Sequence, residues 1–146
     1  MLANGPILRL LPRIDKDNEF FWTSGKDNQL RFLSCIACEA LVHPPGPCCP
    51  YCLGRNLEPR VVSGRGIVES FTVNHQQWIP GSDPYIVGLI SIVEQKDVRL
   101  MTNLVEVEVD DLQIGMEVEV VFEQSDDVYL PLFRPVSNIF TGTLHT

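Results

Sequence analysis

Five cysteines lie between positions 35 and 52, and four of them are spaced for one chemistry. Cys35 and Cys38 are separated by two residues, as are Cys49 and Cys52, with ten residues between the pairs. A two-residue gap lets both thiolates of a pair face one metal from a single turn, and two such turns complete a closed tetrahedral site. The pattern predicts one structural zinc ion held by Cys35, Cys38, Cys49 and Cys52. The competing readings of the pairs are redox dithiols or small core residues. Cys48 stands beside a ligand but outside the spacing, as a packed or exposed free thiol, with exchange for Cys49 as a ligand the less favoured alternative.

No other residues form a set that does chemistry. His43, His75 and His145 have no serine, cysteine or carboxylate beside them in a nucleophile arrangement. The chain has no glycine-rich phosphate loop and no catalytic metal motif. It reads as a non-enzyme.

Elements must position the cysteines, and three zones divide the 146 residues. Residues 1–34 are an N-terminal arm and helix. Asp15 or Asp17 is placed to N-cap a short helix carrying Phe20, Phe21 and Trp22, stopping near Gly25. Leu30–Leu33 reads as a strand entering the first cysteine. Residues 35–60 hold the cysteines, and Pro44-Pro45-Gly46-Pro47 forces an extended turn between the pairs. Residues 61–136 read as strands, over 66–73, 85–93, 98–105, 116–123 and 128–133, and 137–146 as a tail. In the fourth strand Ile114, Met116, Val118, Val120 and Phe122 fall on one face, and Glu117, Glu119 and Glu123 on a solvated one. Gly64 and Gly66 suggest a bulge or sharp bend at the first. Five strands in about 75 residues fit a small OB-type barrel, with a sandwich as the competing fold.

Charge narrows the partners. The net charge is −8, and residues 94–127 carry eleven acidic side chains against Lys96 and Arg99. Such acidity repels nucleic acid and anionic membranes. Single-stranded nucleic-acid binding remains the rival function, because ribbons and OB barrels both perform it, but it needs a basic groove. A stand-alone CoA carrier is a third reading, weakened by the small interior of such a barrel. No signal-peptide core and no membrane-spanning stretch is evident, so a cytoplasmic protein is expected.

Phe21-Trp22, the run from Leu30 to Cys35, Pro44-Pro45 and Cys49-Pro50-Tyr51-Cys52 follow one another in a recognisable order. The series continues with the run from Gly64 to Thr72, Pro84-Tyr85, Ile114-Gly115-Met116 with Val118, and the run from Leu130 to Pro135. Over roughly residues 17–136 the chain resembles the zinc-ribbon/OB-fold acyl-CoA-associated proteins, long filed as domain-of-unknown-function family 35. The family's knuckles usually carry glycine directly after the second cysteine. Here Glu39 and Leu53 follow instead, with Gly54 one place later.

The resemblance implies a mainly β fold: an N-terminal helix, a rubredoxin-like zinc ribbon and a five-stranded OB-fold barrel. It further implies an accessory subunit of a thiolase-like acyl-CoA enzyme. The partner would be a thiolase or a retro-aldolase of lipid or steroid side-chain metabolism, favoured over a hydratase. On that reading Arg55, Arg60 and Arg65 are candidates to face CoA phosphates, with a solvated linker as the plainer reading. Phe20, Phe21, Trp22 and Trp78 are candidates for the partner interface. Trp78 sits at the centre of a long inter-strand loop, residues 75–84.

Overall fold

The computed structural model describes residues 9–137. His145 and residues 138–146 of the expected tail lie outside the described residues, as do positions 1–8 of the arm. The Asp15 carboxylate accepts the N–H groups of Asp17 and Asn18, closing a local turn. That turn feeds a one-turn helix, α1 (Glu19–Trp22), whose N-cap residue is Asn18 and not the expected Asp15 or Asp17; Asp15 acts just ahead of it. The chain does not stop at Gly25. A 3-10 turn carries it from Ser24 to Asp27 and ends at Asn28, in the left-handed region. Gly25 is there for closeness: a Cβ would stand 2.6 Å from atoms of Phe122 and Tyr129.

Three antiparallel strands make the ribbon sheet. They are β1 (Arg31–Cys35), β2 (Leu41–Val42) and β3 (Leu57–Val61), in the order β2-β1-β3. The barrel follows as β4 (Arg65–Asn74), β5 (Tyr85–Ile92), β6 (Gln95–Leu104), β7 (Glu117–Ser125) and β8 (Val128–Pro135). It closes in the order β4-β5-β6-β8-β7, and β6 runs parallel to β8. The fold is therefore mainly β, a ribbon joined to a closed OB barrel, and the sandwich alternative is excluded.

The strands sit close to their expected places, with two corrections. Ile114 is outside β7 and exposed, because a turn at Gly115 precedes the strand. The break in the β4–β5 register falls between Val68 and Ser70, not at the two glycines. Gly66 answers a different constraint. A Cβ there would meet Ile90 Cγ2 at 2.4 Å and the Ser91 carbonyl oxygen at 2.9 Å.

One apolar cluster joins the parts. Val68, Ile90, Val118 and Phe133 fill the barrel, and Phe21, Leu30, Phe32 and Leu41 extend the same core under the ribbon. A second cluster, Val128, Leu130 and Leu132, lies on the other face of β8, beneath Ile14 and Trp22. Both faces of β8 are thus buried, which explains its near-continuous apolar run. Arg9 ties the arm down through its bonds to Glu123 (2.6 Å) and Asn103 (3.0 Å).

Candidate metal centre and partner surface

The two cysteine turns are near copies of each other. The Glu39 N–H donates to the Cys35 carbonyl at 2.8 Å, and the Cys35 N–H to the Ala40 carbonyl at 2.9 Å. In the second turn Leu53 N–H donates to the Cys49 carbonyl at 2.9 Å, and Cys49 N–H to the Gly54 carbonyl at 2.8 Å. Glu39 and Leu53 both have φ of 64°, the left-handed conformation that glycine adopts without strain. The missing glycines therefore leave the knuckle geometry intact.

These turns bring the ligand atoms of Cys35, Cys38, Cys49 and Cys52 within 4.8 Å of one another. Across the pairs, the Cys35 and Cys52 sulfurs stand 3.5 Å apart and those of Cys38 and Cys49 3.6 Å. A zinc tetrahedron with Zn–S of about 2.3 Å has sulfur–sulfur edges of roughly 3.8 Å, so the donor set fits. Cys35 and Cys49 are buried with Val42 in a small cluster, while Cys38 and Cys52 are exposed at the rim.

The thiols differ in acidity. The Cys38 N–H holds the Cys35 thiol below its usual value. At Cys49 burial works against ionisation, but the N–H groups of Cys52 and Tyr51 prevail and lower it to about 7. Cys38 accepts from the Ala40 N–H, yet burial and the neighbouring Cys49, Cys52 and Cys35 sulfurs push it up to about 12. Four thiolates crowded this closely require a cation to ionise together. Cys48 takes no part in the cluster.

His43 stands where sequence gave no hint of a role. Its ring centroid lies 5.0 Å from that of Phe21 and 4.9 Å from that of Phe32, where the ribbon meets α1. Burial lowers its pKa from 6.5 to about 4, so it is a neutral packing group.

The expected interface aromatics separate. Phe21 is only 3% exposed and belongs to the core, which withdraws it from the partner surface. Phe20 is half-buried in a cleft between α1 and the ribbon, with Leu33, Pro45 and Arg55. Trp22 and Trp78 meet in an apolar groove of about 630 Å³ on the barrel, with Tyr85, Met101, Leu130 and Leu132. Trp78 is 75% exposed, and Met101, which sequence reading passed over, is also largely exposed. Alternation along β6 places Met101 outward between buried Leu100 and Thr102, and that signal was available.

The three arginines do not share one surface. Arg55 lines the cleft with Leu57 and Pro59. Arg60, one residue out of step with Pro59 on β3, donates to the Glu39 carbonyl at 3.3 Å. Arg65 is exposed at the start of β4. Two arginines of the barrel are engaged: Arg99 pairs with Glu69, and Arg134 with Glu106 and Glu119. The acidic face of β7 is accordingly not simply solvated, since Glu119 and Glu123 are half-buried ion-pair partners.

A four-cysteine ribbon packed on a closed OB barrel defines a class of small ribbon–barrel domain. Residues 22–58 match the family described as "ChsH2, rubredoxin-like zinc ribbon domain", and residues 59–123 match "ChsH2, C-terminal OB-fold domain". The chain belongs to this DUF35 family of zinc-ribbon/OB-fold proteins. It is 38% identical to a solved chain of the "Ltp2-ChsH2(DUF35) aldolase", with a TM-score of 0.76, over 86% of this chain and 98% of that one. It is 39% identical to the "Probable enoyl-CoA hydratase alpha subunit" of Thermomonospora curvata, over 88% of this chain but 40% of that protein. A "DUF35 domain-containing scaffold protein" of Methanocaldococcus jannaschii is 30% identical over 71% of this chain and 79% of its own length. The chain thus spans about two fifths of the hydratase subunit it matches. No helix among the described residues is long and apolar enough to cross a membrane.

Proposed function

We propose that this chain is a non-catalytic subunit of a thiolase-like enzyme that makes or breaks a carbon–carbon bond in an acyl-CoA. The observation that carries the reading is the match to a chain of the Ltp2-ChsH2(DUF35) aldolase, at 38% identity over 86% of this chain. The hydratase relative supports an acyl-CoA context. Such a subunit needs a rigid frame and an exposed apolar surface. One zinc ion, bound by Cys35, Cys38, Cys49 and Cys52, stiffens a ribbon too small to fold on its own core. Trp22, Trp78 and Met101 around the barrel groove supply the anchor for the partner, with Phe20 at the neighbouring cleft. If CoA reaches this chain, Arg55, Arg60 and Arg65 can act only as separate contacts, since Arg55 and Arg60 face different ways. Free thiols ready for a metal suit a reducing compartment, the cytoplasm.

The test is co-purification of the tagged chain from its native cell, followed by acyl-CoA assays on what is recovered. A stoichiometric thiolase-like partner that cleaves a β-hydroxyacyl-CoA only when this chain is present is the expected result. A chain that elutes alone, or one that binds single-stranded DNA tightly at low salt, would overturn the reading.

A further inference from the structure

The ribbon meets the barrel at two places of different character. One is apolar: Phe32 and Leu41 of the ribbon share one buried cluster with Val68, Ile90 and Phe133 of the barrel. Apolar packing is non-directional, and it holds two bodies together without selecting one hydrogen-bonded arrangement between them. The other contact is polar and is made by the turn joining β5 to β6. The Gln95 amide takes both backbone groups of Leu41 in β2. Its Oε1 accepts the Leu41 N–H at 2.8 Å, and its Nε2 donates to the Leu41 carbonyl at 3.0 Å. The side chain thereby imitates a neighbouring strand. Two residues on, the Asp97 carboxylate accepts the Tyr51 hydroxyl, and Tyr51 lies inside the second cysteine turn. On the other side, the Glu94 carboxylate accepts the Ser63 N–H at 2.6 Å, in the segment linking ribbon to barrel.

We propose that Glu94, Gln95 and Asp97 form a latch that sets the orientation of the ribbon on the barrel. Through Tyr51 the latch couples that orientation to the metal turn. The three side chains grip three separate pieces of chain: the linker, β2 and the second knuckle. Three directional contacts at different points determine an angle. Gln95 is the centre of the device because a primary amide alone offers a donor and an acceptor side by side. Glutamate could accept the Leu41 N–H but would set a carboxylate against its carbonyl. Tyr51 joins the device to the metal site, since its position depends on Cys49 and Cys52 holding their turn. This part rests on the cluster holding zinc, and metal content is measured separately for that reason. The partner surface proposed above borders both bodies, so the latch residues are positioning residues for it.

The experiment uses the full zinc-loaded chain and residual dipolar couplings. In the wild type, ribbon and barrel amides should fit one alignment tensor. In the double variant Gln95→Ala/Asp97→Ala, zinc should stay stoichiometric while the couplings require two tensors. Exchange of the Leu41 amide should also quicken about tenfold, as for loss of one buried hydrogen bond. Lys96→Ala, in the same segment, should behave as the wild type. A single tensor in the double variant would overturn the proposal. So would loss of zinc from that variant, because the latch is held to set an angle and not to build the metal site. Stripping zinc from the wild type with a chelator reads the coupling in reverse. Faster exchange over residues 93–97, with the Val68 and Ile90 amides still protected, is expected, and unchanged exchange there would refute the link through Tyr51.

Discussion

His43 offers a direct test of how the ribbon is seated. Its imidazole is packed against Phe21 and Phe32, and burial lowers its pKa from 6.5 to about 4. Between those two values the unfolded chain binds a proton at this site that the folded chain refuses. Acid therefore favours the unfolded state. The contribution of His43 to stability is complete above pH 6.5, declines as pH falls through the window, and is flat again below about 4. At about 1.4 kcal/mol for each pH unit of separation, and allowing for partial solvent access, the loss across the window is roughly 2–3 kcal/mol. Acid also protonates zinc-bound thiolates, so the wild-type curve alone is ambiguous. Comparison with His43→Phe removes the ambiguity, because thiolate protonation is common to both chains. Urea unfolding with zinc present at pH 7.0, 5.5 and 4.5 should show the variant gaining on the wild type by about 2 kcal/mol as pH falls. An NMR titration should place the wild-type imidazole midpoint near 4. A pH-independent difference between the chains, or a midpoint near 6.5, would refute the burial argument.

Other expectations concern the metal and the surfaces. Cys49→Ser should abolish stoichiometric zinc binding, measured by elemental analysis, and loosen the ribbon amides, whereas Cys48→Ser should leave zinc content unchanged. Leu53→Gly should raise stability by about 0.5–1 kcal/mol, since the left-handed strain removed exceeds the added chain entropy and an exposed side chain loses little burial. Thermal unfolding would record this as a rise of a few degrees. Trp78→Ala should change stability by less than about 0.5 kcal/mol, because the ring is exposed, yet weaken partner co-purification at least tenfold.

Local information was enough for the metal site and the strands. Two-residue gaps between cysteines constrain their own turns, so Cys35, Cys38, Cys49 and Cys52 could be grouped before any fold was known. Alternation in Val118, Glu119 and Val120 marks a strand for the same reason, because side-chain direction in a strand repeats every two residues. Gly25 and Ile114 misled, since a glycine used for close approach and an apolar residue just outside a strand look locally like a helix stop and a strand member. Of the ribbon strands, β2 is only Leu41–Val42, and β3 shows no apolar alternation, since Glu58, Pro59, Arg60 and Val61 are all exposed.

Tertiary structure decided whatever depends on residues distant in sequence. It separated buried Phe21 from the half-buried Trp22 beside it, neutralised His43 between two aromatic rings, and turned Arg55 and Arg60 to different sides. It also placed Gln95 against Leu41, 54 residues away. Composition and spacing report what a side chain can do. Its neighbours determine its protonation, its exposure and its partner, and those neighbours come together only when the barrel closes and the ribbon docks on it.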